Sequence, residues 1–514
     1  MLDINRRSFL LGSAAAVAVA ANAADKKGVR ALKPGEKANV ALIGFGIQGR
    51  SALMPQFIDQ YRRGAQIVVV CDCDKERREA GARMVNAAYA KRKITGVPKC
   101  RAVADFRDVL KDPSIDMVCI ATPDHWHAYI AVEAMKAGKD VYCEKPLTYN
   151  VDESRKVIAA QEKYGRVFQT GSMQRSWREF RTAVMIVRNG FIGDLKYVDA
   201  NYGKGGAKLG GPSHPVRFFD DAKNAAKEGA PNPNVDWNMW LGPAKWRPYS
   251  DQLAPRGVNR FYPMFWRFDD DFATGYNGDW GAHHLDIAQW GMDMDKSGPY
   301  RIIRSDEPYS VDPLHGGRRQ FGMKMLFKGK SGDIELYHGP FGTWGTVFYG
   351  TKGVVAVNRG KIAVWTGAAV TPNADVRRAL ADMKPVDGLT LVAASVGKDY
   401  GTDAMVKKDN RLASTLESLE KKFALDTAPV QLYKSPNQVQ NFVECYFSRK
   451  PTISPAEVGG RGAVLCQLCN MSYVYDTGFG WDPVAMDFPA GCKCREMGIS
   501  LKRDYCRNGW EVVV

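Results

Sequence analysis

Gly44-Phe45-Gly46-Ile47-Gln48-Gly49 has the spacing G-x-G-x-x-G, which suits backbone contact with a dinucleotide. The first glycine permits a tight turn, the second lets the chain approach a pyrophosphate, and the third lets a following helix pack on the preceding strand. The N-terminus of that helix favours the phosphate charge. Alone the motif is weak, but it follows the apolar run 39–43, and a second apolar run, 66–71, leads at once into Asp72. A carboxylate there can accept hydrogen bonds from the adenosine ribose hydroxyls and would repel a 2′-phosphate. NAD is therefore expected over NADP, with Lys75 and Arg77 nearby keeping NADP open as the alternative. Two further segments end apolar runs: Ala121-Thr122-Pro123-Asp124-His125-Trp126-His127 and Cys143-Glu144-Lys145-Pro146. An ammonium group such as that of Lys145 can hydrogen-bond a reacting hydroxyl and stabilise the alkoxide that develops. A solvated lysine on a turn is the plain alternative, and the residues alone leave those two readings even.

These groups need a scaffold, and the hydrophobic pattern supplies one. From about residue 37 to 165, strand-like runs alternate with helical stretches. Runs 39–43, 66–71, 116–121 and 140–143 are almost continuously apolar, as in strands buried on both faces, and 127–137 reads as a helix between two of them. Asn150 with Glu153 three residues on predicts a capped helix to about Tyr164. Alternating β and α predicts a doubly wound parallel sheet, an α/β Rossmann domain over 37–165, whose strand carboxyl ends face the ligand crevice. Beyond it, runs 167–170, 195–200, 323–327, 334–338 and 346–349 read as strands between Gly/Pro-rich loops. They predict an α+β domain over 166–514 with a largely antiparallel sheet. A polar stretch at about 372–426 reads as an insertion, with helical spacing at 412–423.

In this order, G-x-G-x-x-G, the aspartate after the second strand, Thr122-Pro123-Asp124-His125-Trp126-His127 and Glu144-Lys145-Pro146 resemble the glucose-fructose oxidoreductase / inositol dehydrogenase / rhizopine catabolism (Gfo/Idh/MocA) family. Gly278-Asp279-Trp280-Gly281-Ala282-His283-His284-Leu285-Asp286 resembles a later motif of that family. The resemblance covers most of the chain, strongly in the first domain and at 279–286, and weakly across 372–426. It implies an NAD-dependent oxidoreductase acting on a carbinol carbon of a sugar, glycoside or cyclitol. One branch of the superfamily oxidises a sugar carbon transiently, eliminates the aglycone and reduces the carbon back, so an NAD-using glycosidase is the alternative. The implied cofactor-binding set is Gly44, Gly46, Ile47, Gln48, Gly49, Asp72, Thr122, Pro123, His125, His127, Glu144 and Lys145. The implied catalytic set is Lys145, Asp279 and His283, with His283 as general base and Asp279 binding substrate or orienting the imidazole. A separation of four puts Asp279 and His283 on one helix face. His284 competes as base, and Asp286 reads as support for the histidine or the helix. No metal is expected, since hydride transfer needs none and no carboxylate or thiolate set accompanies His125, His127, His283 and His284.

The 514 residues are 45% apolar and 25% charged, enough for two or three domains with real cores. The net charge of +16 comes from scattered residues such as Arg62-Arg63, Lys91-Arg92-Lys93 and Lys421-Lys422. No helix-turn-helix, RNA-binding or zinc-finger signature accompanies them, so a solvated basic surface is expected rather than a nucleic-acid partner. Seven tryptophans fall between Trp177 and Trp290, interleaved with Arg175, Asp236, Arg247, Asp269 and Asp270. Such a mix suits a small carbohydrate substrate, with Trp280 the foremost candidate for a site wall. Self-association into a homo-oligomer is also expected. Cys466 and Cys469 lie in an apolar helical stretch and read as core, while a disulfide among Cys492, Cys494 and Cys506 suits an oxidising compartment. Asn5-Arg6-Arg7-Ser8-Phe9-Leu10-Leu11 and the Ala-rich stretch to Ala24 resemble a twin-arginine export signal, with Ala21-Asn22-Ala23 as cleavage site. This predicts a signal peptide at 1–24 and a periplasmic or otherwise extracytoplasmic protein; the apolar run is too short to span a bilayer comfortably.

Overall fold

The computed structural model describes residues 30–201, 227–258, 265–275, 277–312, 318–339, 344–397 and 409–514; the expected signal at 1–24 lies outside them. The first sheet contains β1 (Ala38–Ile43), β2 (Ala65–Cys71), β3 (Arg101–Val103), β4 (Met117–Ile120), β5 (Asp140–Cys143) and β6 (Phe168–Thr170). Its order is β3-β2-β1-β4-β5-β6, with every pair parallel. Each face carries its own core. Ala41 and Ile43 of β1 join one apolar cluster, while Val40 and Leu42 join the other. Burial on both sides is why these strands read as continuous apolar runs instead of alternating ones. Helices α1 (Lys75–Lys91), α2 (His127–Lys136) and α3 (Val151–Tyr164) make crossovers. The α3 start follows the sequence: Asn150 accepts the Glu153 amide at 2.9 Å, and Gly165 closes the helix at φ 58°.

Residues 168–170 differ from expectation. They complete the parallel sheet, with Phe168 opposite Val141, rather than opening the second domain. A three-residue strand carries too little pattern to reveal its sheet, and only pairing decides it.

The second sheet contains β7 (Leu195–Asn201), β8 (Arg301–Asp312), β9 (Arg318–Gly329), β10 (Gly332–Gly339), β11 (Thr346–Gly350), β12 (Gly353–Asn358), β13 (Lys361–Gly367), β14 (Leu389–Val396) and β15 (Phe479–Gly480). Its order is β14-β13-β12-β11-β7-β10-β9-β8-β15, antiparallel except for the β7–β10 pair. Helix α4 (Arg178–Arg188) packs on it. So do α6 (Ala282–Gly291) and α8 (Ala456–Val474), in a core that includes Phe180, Leu285, Phe348 and Leu465. Between them, residues 227–258, with the short α5 (Trp237–Leu241), lie against the first domain. The stretch expected as an insertion is knitted into the sheet. β14 pairs with β13, and α7 (Asn410–Lys422) buries Leu412, Leu416 and Leu419 in the same core. It reads as polar because its helix buries one face only and leaves the other, rich in Glu and Lys, to solvent.

All eleven cysteines are free thiols. The expected disulfide is therefore not formed: Cys506 lies apart, and the Cys492 and Cys494 sulfurs are 2.7 Å from each other as thiol partners. Cys466 and Cys469 are fully buried in α8, where burial pushes both thiols up. Among the described residues no helix is long and apolar enough to cross a membrane.

Candidate active site

One cleft of about 380 Å³ runs from the glycine turn to α6. At its first end the three glycines divide their work as their spacing suggests. Gly44 has φ +90°, and an added Cβ would lie 2.6 Å from the Ala121 carbonyl carbon. At Gly49 a Cβ would collide with the Gly44 carbonyl oxygen, whereas at Gly46 nothing lies within 4 Å. Gly46 therefore leaves open the room a pyrophosphate needs, and its neighbours bring the strand and helix together. Asp72 follows β2 and lines the cleft; its carboxylate accepts the Phe45 amide at 2.7 Å and the Asp74 amide at 2.9 Å. Ile47, Gln48, Thr122, Pro123 and His127 line the same cleft, and Thr122 Oγ1 meets no protein partner. These residues fit an NAD molecule laid along the carboxyl ends of β1, β2 and β4.

At the other end Lys145 follows β5 and reaches across the domain boundary. Its Nζ donates to Asp279 Oδ1 at 2.6 Å and to the Asp279 carbonyl at 2.7 Å. Arg267 Nη1 donates to the same Oδ1 at 2.8 Å. Burial alone would raise the Asp279 carboxyl, but Arg267 and Lys145 hold it down to about 2. His283, on the first turn of α6, lines the cleft beside them; its Nδ1 meets no protein partner. Burial, then the charges of Arg359 and Lys145, keep this imidazole well below its ordinary value, hence neutral. Glu144 accepts from Gln48 Nε2 at 3.1 Å and from Tyr142 at 3.3 Å, and burial raises its carboxyl.

The structure thus brings Lys145, Asp279, His283 and the glycine turn to one crevice, and it sorts the remaining candidates. His284 lies outside the cleft lining, stacked at 19° on Trp280. Asp286 binds Arg175 through both oxygens at 2.8 Å, a buried pair that fixes α6. His125 is a correction. It is 1% exposed, does not line the cleft, and sets Nε2 3.1 Å from the Trp240 carbonyl. Its neighbour His127 stands between the carbonyls of Pro146 (2.8 Å) and Thr122 (2.9 Å), joining the β4 and β5 ends. Of the seven tryptophans, Trp240, Trp266 and Trp280 line the cleft, Trp177 and Trp290 are core, and Trp246 is exposed.

Sequence reasoning missed Arg267, Arg359, Gln174 and Asp124 as cleft-building residues. Arg359 sits with its guanidinium 4.7 Å over the Trp280 ring and donates to Gln174 at 3.0 Å; Gln174 in turn donates to the His283 carbonyl at 3.2 Å. Asp124, inside the Thr122–His127 motif, is buried, and desolvation lifts its carboxyl to about 7 against the pull of Arg267 and Lys145. The cleft position within T-P-D was the one available signal for Asp124; no local pattern marks the others. Among the described residues no three His, Cys, Asp or Glu side chains converge as a metal site.

Fold and cleft together define an NAD-binding Rossmann domain joined to a second, mostly antiparallel α/β domain. Residues 38–172 match the NAD-binding Rossmann fold of the Gfo/Idh/MocA oxidoreductase family, and residues 215–331 match that family's C-terminal alpha/beta domain. The chain is 32% identical over 161 residues to an inositol 2-dehydrogenase of Pseudarthrobacter chlorophenolicus, covering 31% of this chain and 44% of that protein. An inositol 2-dehydrogenase 1 of Mycolicibacterium vanbaalenii is 33% identical over 156 residues, covering 30% and 41%. The alignment thus spans less than half the length of these relatives. Among solved structures, an aldose-aldose oxidoreductase from Caulobacter crescentus complexed with glycerol superposes with TM-score 0.50 at 16% identity, covering 87% of this chain and all of that one. A levoglucosan dehydrogenase in complex with NADH and levoglucosan gives 0.50 at 17% identity, covering 87% and 100%. At such identities these two share the fold.

Proposed function

We propose that the protein is an NAD-dependent oxidoreductase that moves a hydride to or from a carbinol carbon of a sugar, glycoside or cyclitol. The observation that carries this is the 2.6 Å contact of Lys145 with Asp279 in the same cleft as His283 and the glycine turn. NAD, when bound, supplies the hydride acceptor or donor. Gly44–Gly49 and Asp72 hold it, and Lys145, fixed between the Asp279 carboxylate and carbonyl, presents an ammonium group to the substrate hydroxyl. His283, neutral in this cationic pocket, accepts the hydroxyl proton. Lys145, Arg267 and Arg359 favour the negative charge that develops on the oxygen. Trp266 and Trp280 line the cleft, each with a guanidinium over its ring (Arg267 at 4.6 Å, Arg359 at 4.7 Å), a mix of aromatic and donor groups that suits a carbohydrate. The relatives' names, inositol 2-dehydrogenase above all, support a polyol substrate. The twin-arginine pattern at Arg6-Arg7 supports export of the folded protein.

Incubating the purified protein with polyols, glycosides and cyclitols, while following reduced nicotinamide absorbance and free aglycone, tests the proposal. NADH formation without aglycone is the expected result. Aglycone release without net NADH would transfer the reading to a glycosidase. Bound nucleotide with neither signal would refute both.

A further inference from the structure

The adenosine end of the cleft has a second wall that the glycine motif does not supply. Residues 232–258 run along it from the second domain. Val235 forms an antiparallel bridge with Asp74. The Lys75 amide donates to Asn234 O at 2.7 Å, the Asp236 amide to Cys73 O at 3.1 Å, and Asn234 Nδ2 to Glu76 Oε1 at 2.9 Å. These contacts stitch the segment to the turn that carries Asp72. Farther along, Arg77 Nη2 donates to Pro255 O at 2.9 Å and Arg50 Nη1 to Val258 O at 3.0 Å. Both arginines line the cleft, as do Met239, Trp240, Leu253 and Pro255. The wall is braced from behind: Trp126 Nε1 donates to Met239 O at 3.0 Å, and Arg507 donates to Asn238 twice, from Nη2 to its carbonyl at 2.8 Å and from Nη1 to its side-chain Oδ1.

We propose that residues 232–258 are a strap over the adenosine half of the dinucleotide, so that nucleotide release is slower than hydride transfer. The inference rests on the NAD-dependent reading above. An apolar wall facing the β2 end encloses a flat base on both sides. Guanidinium-to-carbonyl contacts at Pro255 and Val258 then cross the exit, and they must open together with the Asp74–Val235 stitching before the nucleotide leaves. Concerted opening of this kind is slower than side-chain motion and often limits turnover.

The test uses the full chain loaded with NADH, with nicotinamide fluorescence followed after mixing with excess NAD. Release slower than single-turnover hydride transfer is expected. Asn234→Ala combined with Asn238→Ala removes two strap anchors outside the cleft lining, and should speed release about tenfold or more. Hydrogen exchange of the 232–258 amides gives a second readout, with NADH increasing their protection in the unmodified protein. Release faster than hydride transfer, an unchanged rate in the double variant, or protection indifferent to NADH would each overturn the strap. Fast release with NADH production leaves the oxidoreductase standing and sinks the strap alone, whereas absence of any hydride transfer would sink the oxidoreductase and the rate comparison built on it.

Discussion

Lys145 works through its partners. A carboxylate held at about 2 and a backbone carbonyl leave its ammonium fixed in the cleft, where a lone lysine would be a mobile cation. Lys145→Ala should lower kcat by about 10²–10³-fold or more while nucleotide affinity stays within a few-fold, since the glycine turn and Asp72 are untouched. Steady-state kinetics beside NADH fluorescence titration separates the two. The proposed proton acceptor has its own signature. Because His283 is held well below 6.5, it stays neutral as pH falls through that value. The kcat/KM profile for oxidation should therefore lack an acid limb at 6.5, and a limb found there would remove His283 as the base. That Lys145, Asp279 and His283 would share one cleft was legible because each sits in a short motif and the motifs keep a recognisable order. Arg267 and Arg359 were not, because their relation to His283 exists only after two domains meet. His125 was misplaced for a related reason: a motif fixes which residues recur near a cofactor, but not whether an imidazole turns toward the cleft or toward the Trp240 carbonyl.

The glycine turn allows a comparison between neighbouring positions. Gly44→Ala meets both a left-handed φ and the Ala121 carbonyl, and should destabilise the fold by roughly 1–3 kcal/mol or more. Gly46→Ala meets nothing in the protein, so its thermal midpoint should hold while nucleotide binding is lost. Thermal melts paired with nucleotide titration check this, and equal loss of stability in both would contradict the division of roles. The strands of the first sheet were readable for the same reason they are stable: burial on both faces leaves a run of apolar residues that has few other uses. The second sheet was only partly readable. β12 and the middle of β13 are buried, yet no strand was expected there, where Gly353, Gly360 and Gly367 interrupt the apolar pattern. β14, at the sheet edge, is mostly apolar but only partly buried, and it sits within a stretch whose flanks are polar.

Across the whole molecule, buried titratable groups set the response to acid. Burial holds His125 and His284 at about 3 and His338 at about 4. Their unfolded forms gain protons below about 6.5, so the stability they contribute is lost as pH falls from there toward 3. Asp279, lowered to about 2, loses its contribution below its ordinary carboxyl value. Asp124 and Asp269, raised to about 7, act in the opposite sense: falling pH relieves them between 7 and about 4. The opposing groups offset each other above pH 4, and only the destabilising ones remain below it. Thermal midpoints should therefore change little from pH 7 to 5 and fall steeply below 4; a steady decline starting at pH 7 would show that the buried carboxyls are not raised. At the same scale, Trp510 packs edge-on to Trp126 at 5.0 Å and to Tyr129 at 5.1 Å. Trp510→Ala should destabilise the protein by about 3–5 kcal/mol and speed NADH release, measurable by denaturant titration and fluorescence.

That aromatic contact, with Phe442 buried beneath the first sheet against Phe57 and Tyr142, bears on how the molecule is made. The glycine turn and the rings that brace its sheet lie far apart in sequence, so synthesis delivers the turn well before its support. A nascent chain halted before Trp510 would therefore carry the glycine signature on an unfinished core.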